Sequence, residues 1–320
     1  MLSYTINSLE TEQQIQFVKD TFTSLLKEKL GLHPVFAPLF VQNTSGLNDD
    51  LNGTETSVSF QLKSTGAAYA IVHSLAKWKR KRLQELSIPL HEGILTNMLA
   101  IRADETLTPL HSALVDQWDW EIHIAKEDRN LSFLKETVRL LYAQMHTAES
   151  VTCKEFDHTE PVLPPEITFI HAEDLLEQYP DLSPKERERK ITQQFGAVFL
   201  IGIGNALSNG EPHDGRAPDY DDWTTPTSAA HTGLNGDLLV WNPVLEDALE
   251  LSSMGIRVDH SALVKQLEIR GVSSRQHLPF HRSVLEETIP FSIGGGIGQS
   301  RLAMFLLRKS SIAEVQQCEY

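Results

Sequence analysis

Cysteine is almost absent. Cys153 and Cys318 are the only two in 320 residues, too few and too far apart for a disulfide framework or a thiolate zinc site, and they suit a reduced, cytoplasmic compartment. No apolar run approaches the roughly 20 residues that cross a bilayer, and the N-terminus has no basic-then-apolar leader, so no membrane association is expected. Positive charge is scarce as well. The 28 Lys and Arg against 43 Asp and Glu leave a formal net charge of -15, which repels a polyphosphate backbone and argues against a nucleic-acid partner. The 13 histidines form no His-Glu-x-x-His or clustered pair, so most are expected to be structural or surface residues. Repeats, low-complexity tracts and linkers are missing too. The length suits a large core, and residues 1–320 are read as one domain with a helical insertion near 150–195.

Two nucleotide signatures are present only in part. The run Gly294 to Gly296, then Gly298, leads into Gln299, Ser300 and Arg301 and lacks the lysine of a phosphate-binding loop. In AVFLIGIGNAL, Gly202 and Gly204 follow a strand-like segment, but Leu207 stands where a dinucleotide fingerprint has its third glycine, and the βαβ context is missing.

Periodicity predicts an α+β protein with a mainly antiparallel sheet flanked by helices. Residues 9–30 repeat apolar side chains at three and four spacing before Gly31, a natural C-cap. His33 to Pro38 reads as a short edge strand, since Pro38 cannot donate to a ladder. Strand-like runs at 57–62, 68–72, 97–102 and 114–122 lie too close together for crossover helices and favour antiparallel pairing. Helices are expected at about 131–149 and 184–195, with strands at 197–203, 237–241 and 248–252.

Five polar segments interrupt this framework. The glycine run opens space for a flat ligand against backbone, with Arg301 in the first turn of a helix beside it; a tight turn before a helix is the plain alternative. His73 to Arg80 puts Ser74, Lys77 and Lys79 near a helix N-terminus, where an anion is favoured, or merely forms a solvated basic face. Alternation along 114–121 sends Gln117, Asp119 and Glu121 to one face and Asp116, Trp118 and Trp120 to the other. Asp219, Asp221 and Asp222 form an acidic loop, either simply soluble or able to grip an amino group. On the strand at 248–252, Glu250 and Ser252 are expected to share a face with Asp237 on the strand before it, a partial cage for Mg²⁺. A surface ion pair between Glu250 and Arg257 is the alternative. Arg102, ending a strand, and Arg301 are two arginines at element ends suited to phosphate.

In combination, the first helix with its Pro38 strand, the strand ending at Arg102 with the strand 114–122, and the glycine-rich strand running into Arg301 resemble the three motifs of class II aminoacyl-tRNA synthetase catalytic domains. More closely, SGLNDDLNG, HSLAKWKR, PLHSALVDQWDWE, RAPDYDDW, GLNGDLLVWNPVLEDALELSSMGIRVD and GGGIGQSRL resemble the aspartate–ammonia ligase family across essentially the whole chain.

The resemblance implies ATP-dependent amidation of L-aspartate with ammonia through β-aspartyl-AMP, releasing AMP and pyrophosphate. It implies ATP contacts from Arg102, Glu250, Gly296 and Arg301, with Mg²⁺ on Glu250 and Asp237. An aspartate pocket of Ser74, Lys79, Gln117, Asp119, Asp221 and Ser253, adjoined by Arg257, is implied too, and Asp49 would sit near the incoming ammonia. A homodimer through the first helix and the Pro38 strand, free ammonia rather than glutamine as nitrogen donor, and no anticodon-binding domain are further expectations. Asp50, Leu95 and Leu99 depart from the family's Asn, aromatic and polar residues, and Asp50 is expected to act on Asp49 by like-charge repulsion. Other readings of the chain are a synthetase-like paralogue that adenylates a different amino acid and a non-catalytic module that binds aspartate or asparagine; the joint presence of Arg102, Glu250 and Arg301 counts against the last.

Overall fold

The computed structural model describes residues 6, 8–49, 55–157 and 160–317. Helix α1 spans Leu9–Leu30 because its ends are specified and one face is apolar. Ser8 accepts a hydrogen bond from the Thr11 amide, Gly31 closes the helix in the left-handed conformation at φ 63°, and Ile15, Val18, Phe22, Leu26 and Leu30 are buried. Strands β1 (Leu32–Pro34), β2 (Phe40–Gln42), β3 (Ser59–Gln61) and β4 (Ala68–Ile71) lead to helix α2 (Ala76–Glu85). Long strands β5 (Gly93–Ile101) and β6 (Leu114–His123) precede helix α3 (Leu131–Phe156), strand β7 (Thr168–His171) and helices α4 (Ala172–Gln178) and α5 (Pro184–Phe195). Then come β8 (Ala197–Ile201), β9 (Asn235–Asn242), β10 (Asp247–Ile256), α6 (His260–Ile269), α7 (Pro279–Leu285), β11 (Ser292–Gly298) and α8 (Gln299–Leu306).

Eight strands form one sheet in the order β1-β5-β6-β11-β10-β9-β8-β7. Its interior pairs are antiparallel, as expected, but both outermost pairs, β1 with β5 and β7 with β8, are parallel. The strands near 57–62 and 68–72 do not join it; they form a separate antiparallel sheet, β2-β4-β3. The strand expected over His33 to Pro38 stops at Pro34. Proline has no amide donor, and only Val35 adds a further bond, to the Leu95 carbonyl at 2.9 Å. Segment 150–195, expected to be helical, also carries β7. The Gly202 and Gly204 turn leads from β8 into a long loop and not into a helix.

One face of the sheet packs against α1, α3 and α8, with Trp118 edge-on to Phe22 at 4.9 Å and its indole donating to Thr23. Leu95 is buried in this layer, whereas Leu99 is exposed. On the opposite face, α4 and α5 cover β8 and β9 through Leu175, Leu176 and Ile191. A second apolar cluster of Val72, Leu75, Met98 and Ala100 closes the other end. The stretch between them, over β6, β11 and β10, is left for polar side chains.

Candidate active site

A cavity of about 390 Å³ opens over that stretch, within the range of small-molecule sites. Ser74, Lys79, Arg102, Gln117, Asp119, Asp221, Asp237, Glu250, Ser253, Arg257, Gly296 and Arg301 all line it. Asp49 is the exception among the site residues that the family resemblance implies. It is buried beside the cavity, with its main-chain oxygen 3.0 Å from Nδ1 of His73, which does line it. Asp50 and Cys318 lie outside the described residues.

Strand β6 supplies the floor by alternation: Gln117, Asp119 and Glu121 face the polar side, while Trp118 and Trp120 enter the core. Strand β11 lies beside it, pairing Gly294 with Glu121 and Gly296 with Asp119. The glycine run is therefore regular strand, not a turn, and none of these three glycines has positive φ. Their purpose is room. A Cβ at Gly294 would run into the Glu121 carboxylate, and one at Gly296 into the Gln117 amide. The backbone carbonyls exposed by this arrangement are used, Gly295 O by Lys79 Nζ at 2.7 Å and Gly296 O by Ser252 Oγ at 2.9 Å.

The basic face of α2 is not solvated. Lys77, Lys79 and Arg80 are all buried. Lys77 pairs with Asp219 at 3.0 Å, and Arg80 donates to the carbonyls of Pro290 and Val258. Lys79 reaches the cavity and pairs with Asp119. Burial pushes the Lys79 ammonium below its ordinary value against the pull of Asp119 and Glu121.

Nor is the acidic loop a soluble one. Asp219 bonds His281 at 2.9 Å as well as Lys77; although burial opposes its charge, Lys77 and His281 hold its carboxyl well below the usual range. Asp222 is held by Arg129. Only Asp221 turns to the cavity, where it pairs with Arg257.

Arg257 is the hub of this wall. Its Nε donates to Glu121 Oε1 at 2.9 Å and its Nη2 to Glu121 Oε2 at 2.7 Å, a bidentate fork completed by Nη1 on Asp221. The alternative surface pair between Arg257 and Glu250 does not form; Glu250 instead lies 3.7 Å from Arg301, whose Nη1 also donates to the Glu250 carbonyl.

Strand β10 is irregular here. A bulge between Glu250 and Ser252 shifts the register, so Glu250 and Ser253, three apart, both turn to Asp237, and Ser252 does not share the face with Glu250 as strict alternation predicts. Ser253 Oγ donates to Asp237 at 2.6 Å. Burial first, and then the neighbouring Asp237 carboxylate, raise the Glu250 carboxyl above its ordinary value. Two neighbouring carboxylates, one raising the other in this way, suit a divalent cation, since Mg²⁺ takes one or two carboxylates and completes its shell with phosphate and water. Among the described residues no group of three or more acidic, His or Cys side chains gathers as a self-sufficient metal site.

Arg102 and Arg301 line the same cavity, and both bear electrostatically on His111. Arg216, for which the sequence carries no local signal, also lies there. It pairs with Asp237 at 2.6 Å, contacts Ser253, and has its Nε 3.6 Å from Asp221. Alternation along β6 puts Glu121 on the correct face but carries no signal of its partner Arg257. His73 is not legible as a site residue, because a lone histidine between a strand and a helix carries no local signal.

A profile of the aspartate–ammonia ligase family matches residues 9–320. The chain belongs to the aspartate–ammonia ligase family. It is therefore an enzyme, and ATP-dependent amidation of aspartate by ammonia is the activity of its family. The chain is 54% identical over 312 residues to an aspartate–ammonia ligase of Parabacteroides distasonis, covering 97% of this chain and 90% of that protein. It is 51% identical to one of Malacoplasma penetrans, covering 98% and 94%. Among solved structures it resembles asparaginyl-tRNA synthetase from Pyrococcus horikoshii complexed with asparaginyl-adenylate, with a TM-score of 0.70 at 17% identity over 96% of this chain and 68% of that one. The fold is that of class II aminoacyl-tRNA synthetases. No helix among the described residues is long and apolar enough to cross a membrane.

Proposed function

We propose that this cavity amidates aspartate in two stages, in one catalytic domain. A β-carboxylate oxygen of aspartate attacks the α-phosphorus of ATP and expels pyrophosphate, leaving β-aspartyl-AMP. Ammonia then attacks the β-carbonyl carbon, and AMP departs with the electron pair of the broken C–O bond. What carries this reading is the convergence of β6, β10 and β11 on one pocket, where aspartate-binding groups and the arginines for phosphate share a wall.

Lys79, Asp119, Asp221 and Arg257, with Ser74, Gln117 and Ser253, hold aspartate. Such paired charges bind both the carboxylate and the ammonium of a zwitterion. Arg102 holds the α-phosphate, Arg301 the triphosphate and adenine side, and Gly296 leaves the wall low beside it. Fixed arginines stabilise charge that develops on the phosphorus oxygens without reorganising at the moment of reaction. Glu250 and Asp237 would hold Mg²⁺, which when bound supplies positive charge to the phosphates; Arg216 now supplies that charge to Asp237. Asp49 attracts ammonium and takes a proton from it.

Incubation with MgATP, aspartate and ammonium should yield AMP, pyrophosphate and asparagine in equal amounts. No AMP with aspartate sinks the proposal, and AMP with another amino acid favours the paralogue reading. Asp49→Asn should keep aspartate-dependent adenylation within a few-fold yet slow asparagine formation by about 100-fold, as expected for removal of one proton acceptor. Equal loss of both stages refutes the role given to Asp49.

We also propose a cytoplasmic homodimer joined through α1 and the segment after β1. Phe36 in that segment is 98% exposed, beside the open edge of the sheet, a combination that marks contact surfaces. Phe36→Glu should shift the native mass in sedimentation from dimer to monomer; an unchanged dimer assigns the contact elsewhere.

A further inference from the structure

Ammonium must shed two protons to become an amide nitrogen. The reading above, on which this inference rests, supplies one acceptor, Asp49, and Asp49 does not line the cavity. His73 does. It follows β4 at the entrance to α2 and is only 1% exposed. Its amide donates to Asn48 Oδ1 at 2.9 Å, and its Nδ1 lies 3.0 Å from the Asp49 carbonyl. A carbonyl only accepts, so Nδ1 carries the hydrogen and Nε2 presents a lone pair. That Nε2 is buried and has no hydrogen-bond partner among the described residues.

The charged side chains that act on the ring are Arg102, Glu55 and Asp104. Burial, the largest influence, holds the imidazole below its ordinary value, and Arg102 adds to this; the Asp49 carbonyl, Glu55 and Asp104 oppose it. The ring is thus neutral at neutral pH, beside the arginine assigned to the α-phosphate.

We infer that His73 Nε2 accepts the second proton of the ammonia stage. The nitrogen lone pair forms the C–N bond, the C–O bond to the phosphate breaks with its pair going to AMP, and the extra proton on nitrogen passes to Nε2. The imidazolium so formed lies near Glu55 and Asp104, and returns its proton to solvent before the next turnover.

Two variants and two nucleophiles test this on the full chain. His73→Asn retains a side-chain N–H for the Asp49 carbonyl but has no group at Nε2. His73→Gln offers a hydrogen-bond acceptor that cannot take a proton at neutral pH. In both, aspartate-dependent ATP–pyrophosphate exchange should stay within about threefold of the parent, and it reports that the site is folded. The kcat/KM for ammonia should fall about 100-fold, the low end for general-base catalysis. With hydroxylamine as nucleophile, whose nitrogen is acidic enough after attack to release its proton to water, hydroxamate formation should fall less than tenfold. Equal losses for exchange and amidation, equal losses with both nucleophiles, or rescue of amidation by Gln would each overturn the assignment and leave His73 a structural or positioning residue. Absence of exchange in the parent protein would instead strike the amidation reading itself.

Discussion

Arg257→Met is expected to abolish aspartate-dependent AMP formation, by about 1,000-fold or more, and to lower the melting temperature by roughly 6 °C. The stability loss follows from what is left behind. Glu121 and Asp221 are buried, and Arg257 is the cation that both share. Removing one partner of a buried ion pair costs about 3–5 kcal/mol, because the remaining carboxylates lose their main counter-ion and have no water in its place, and in a chain of this size each kcal/mol is worth about 1.5 °C. The activity loss follows from position: Arg257 occupies the cavity wall between Glu121 and Asp221, where a substrate carboxylate would find its fork. The pH dependence has a definite sign. Burial already raises the Asp221 carboxyl, and Arg257 is the main force opposing that rise. Without the guanidinium it rises further, so the folded state binds a proton more readily than the unfolded chain, and stability grows as pH falls. The deficit should therefore be smaller at about pH 5 than at about pH 8. Adding Glu121→Leu should recover part of the melting temperature and none of the activity. A single variant that still makes AMP only when aspartate is present would remove Arg257 from the substrate pocket.

Local signals made several of these elements legible. Helix α1 could be read from its apolar spacing and Gly31, and β6 from alternation, because both patterns lie within consecutive residues. What was not legible depends on partners far along the chain. Lys77 reads as an anion ligand or a solvated residue until Asp219, 142 positions later, arrives beside it. The strands near 57–62 and 68–72 could be read, but their departure from the main sheet depends on pairing with β2, and β2 and β7, of three and four residues, are too short for a period to show. The bulge in β10 exists only in its pairing with β9, so Glu250 and Ser252 read as sharing a face although the folded strand turns Ser253 toward Asp237 instead. Arg216 was hidden for the same reason, since its three contacts come from β9, β10 and its own loop.

The glycine run was legible as a functional element, but its meaning changes in the fold, and Gly294→Ala tests the change. If these glycines served chiefly to lay backbone against nucleotide, alanine at Gly294, Gly296 or Gly298 would weaken ATP binding to a similar degree. The packing predicts a graded series instead. At Gly294 the added carbon would overlap the Glu121 carboxylate and come within 2.6 Å of Arg257 Nη2. Neither group can retreat, since Glu121 also accepts from Ser292 Oγ at 2.7 Å and both are buried. Overpacking a close-fitted interior costs about 1–3 kcal/mol, and displacing a paired buried charge adds to this. Gly294→Ala should therefore lower stability by several kcal/mol and aspartate-dependent turnover about 1,000-fold, through the same Glu121–Arg257 fork as the first prediction. At Gly296 the obstacle is the Gln117 amide, a side chain that can rotate, so a rise in KM for aspartate with the fold intact is expected. At Gly298 the nearest atom is Arg301 Cβ at 3.1 Å, and the effect should be smallest and confined to ATP. Measured melting temperatures and KM values for both substrates decide the matter: equal effects at the three positions, falling on ATP alone, would return the run to a nucleotide platform. The predicted order would instead make β11 the strand that gives up its side chains so that Gln117 and Glu121 can fold across it and build the proposed aspartate pocket.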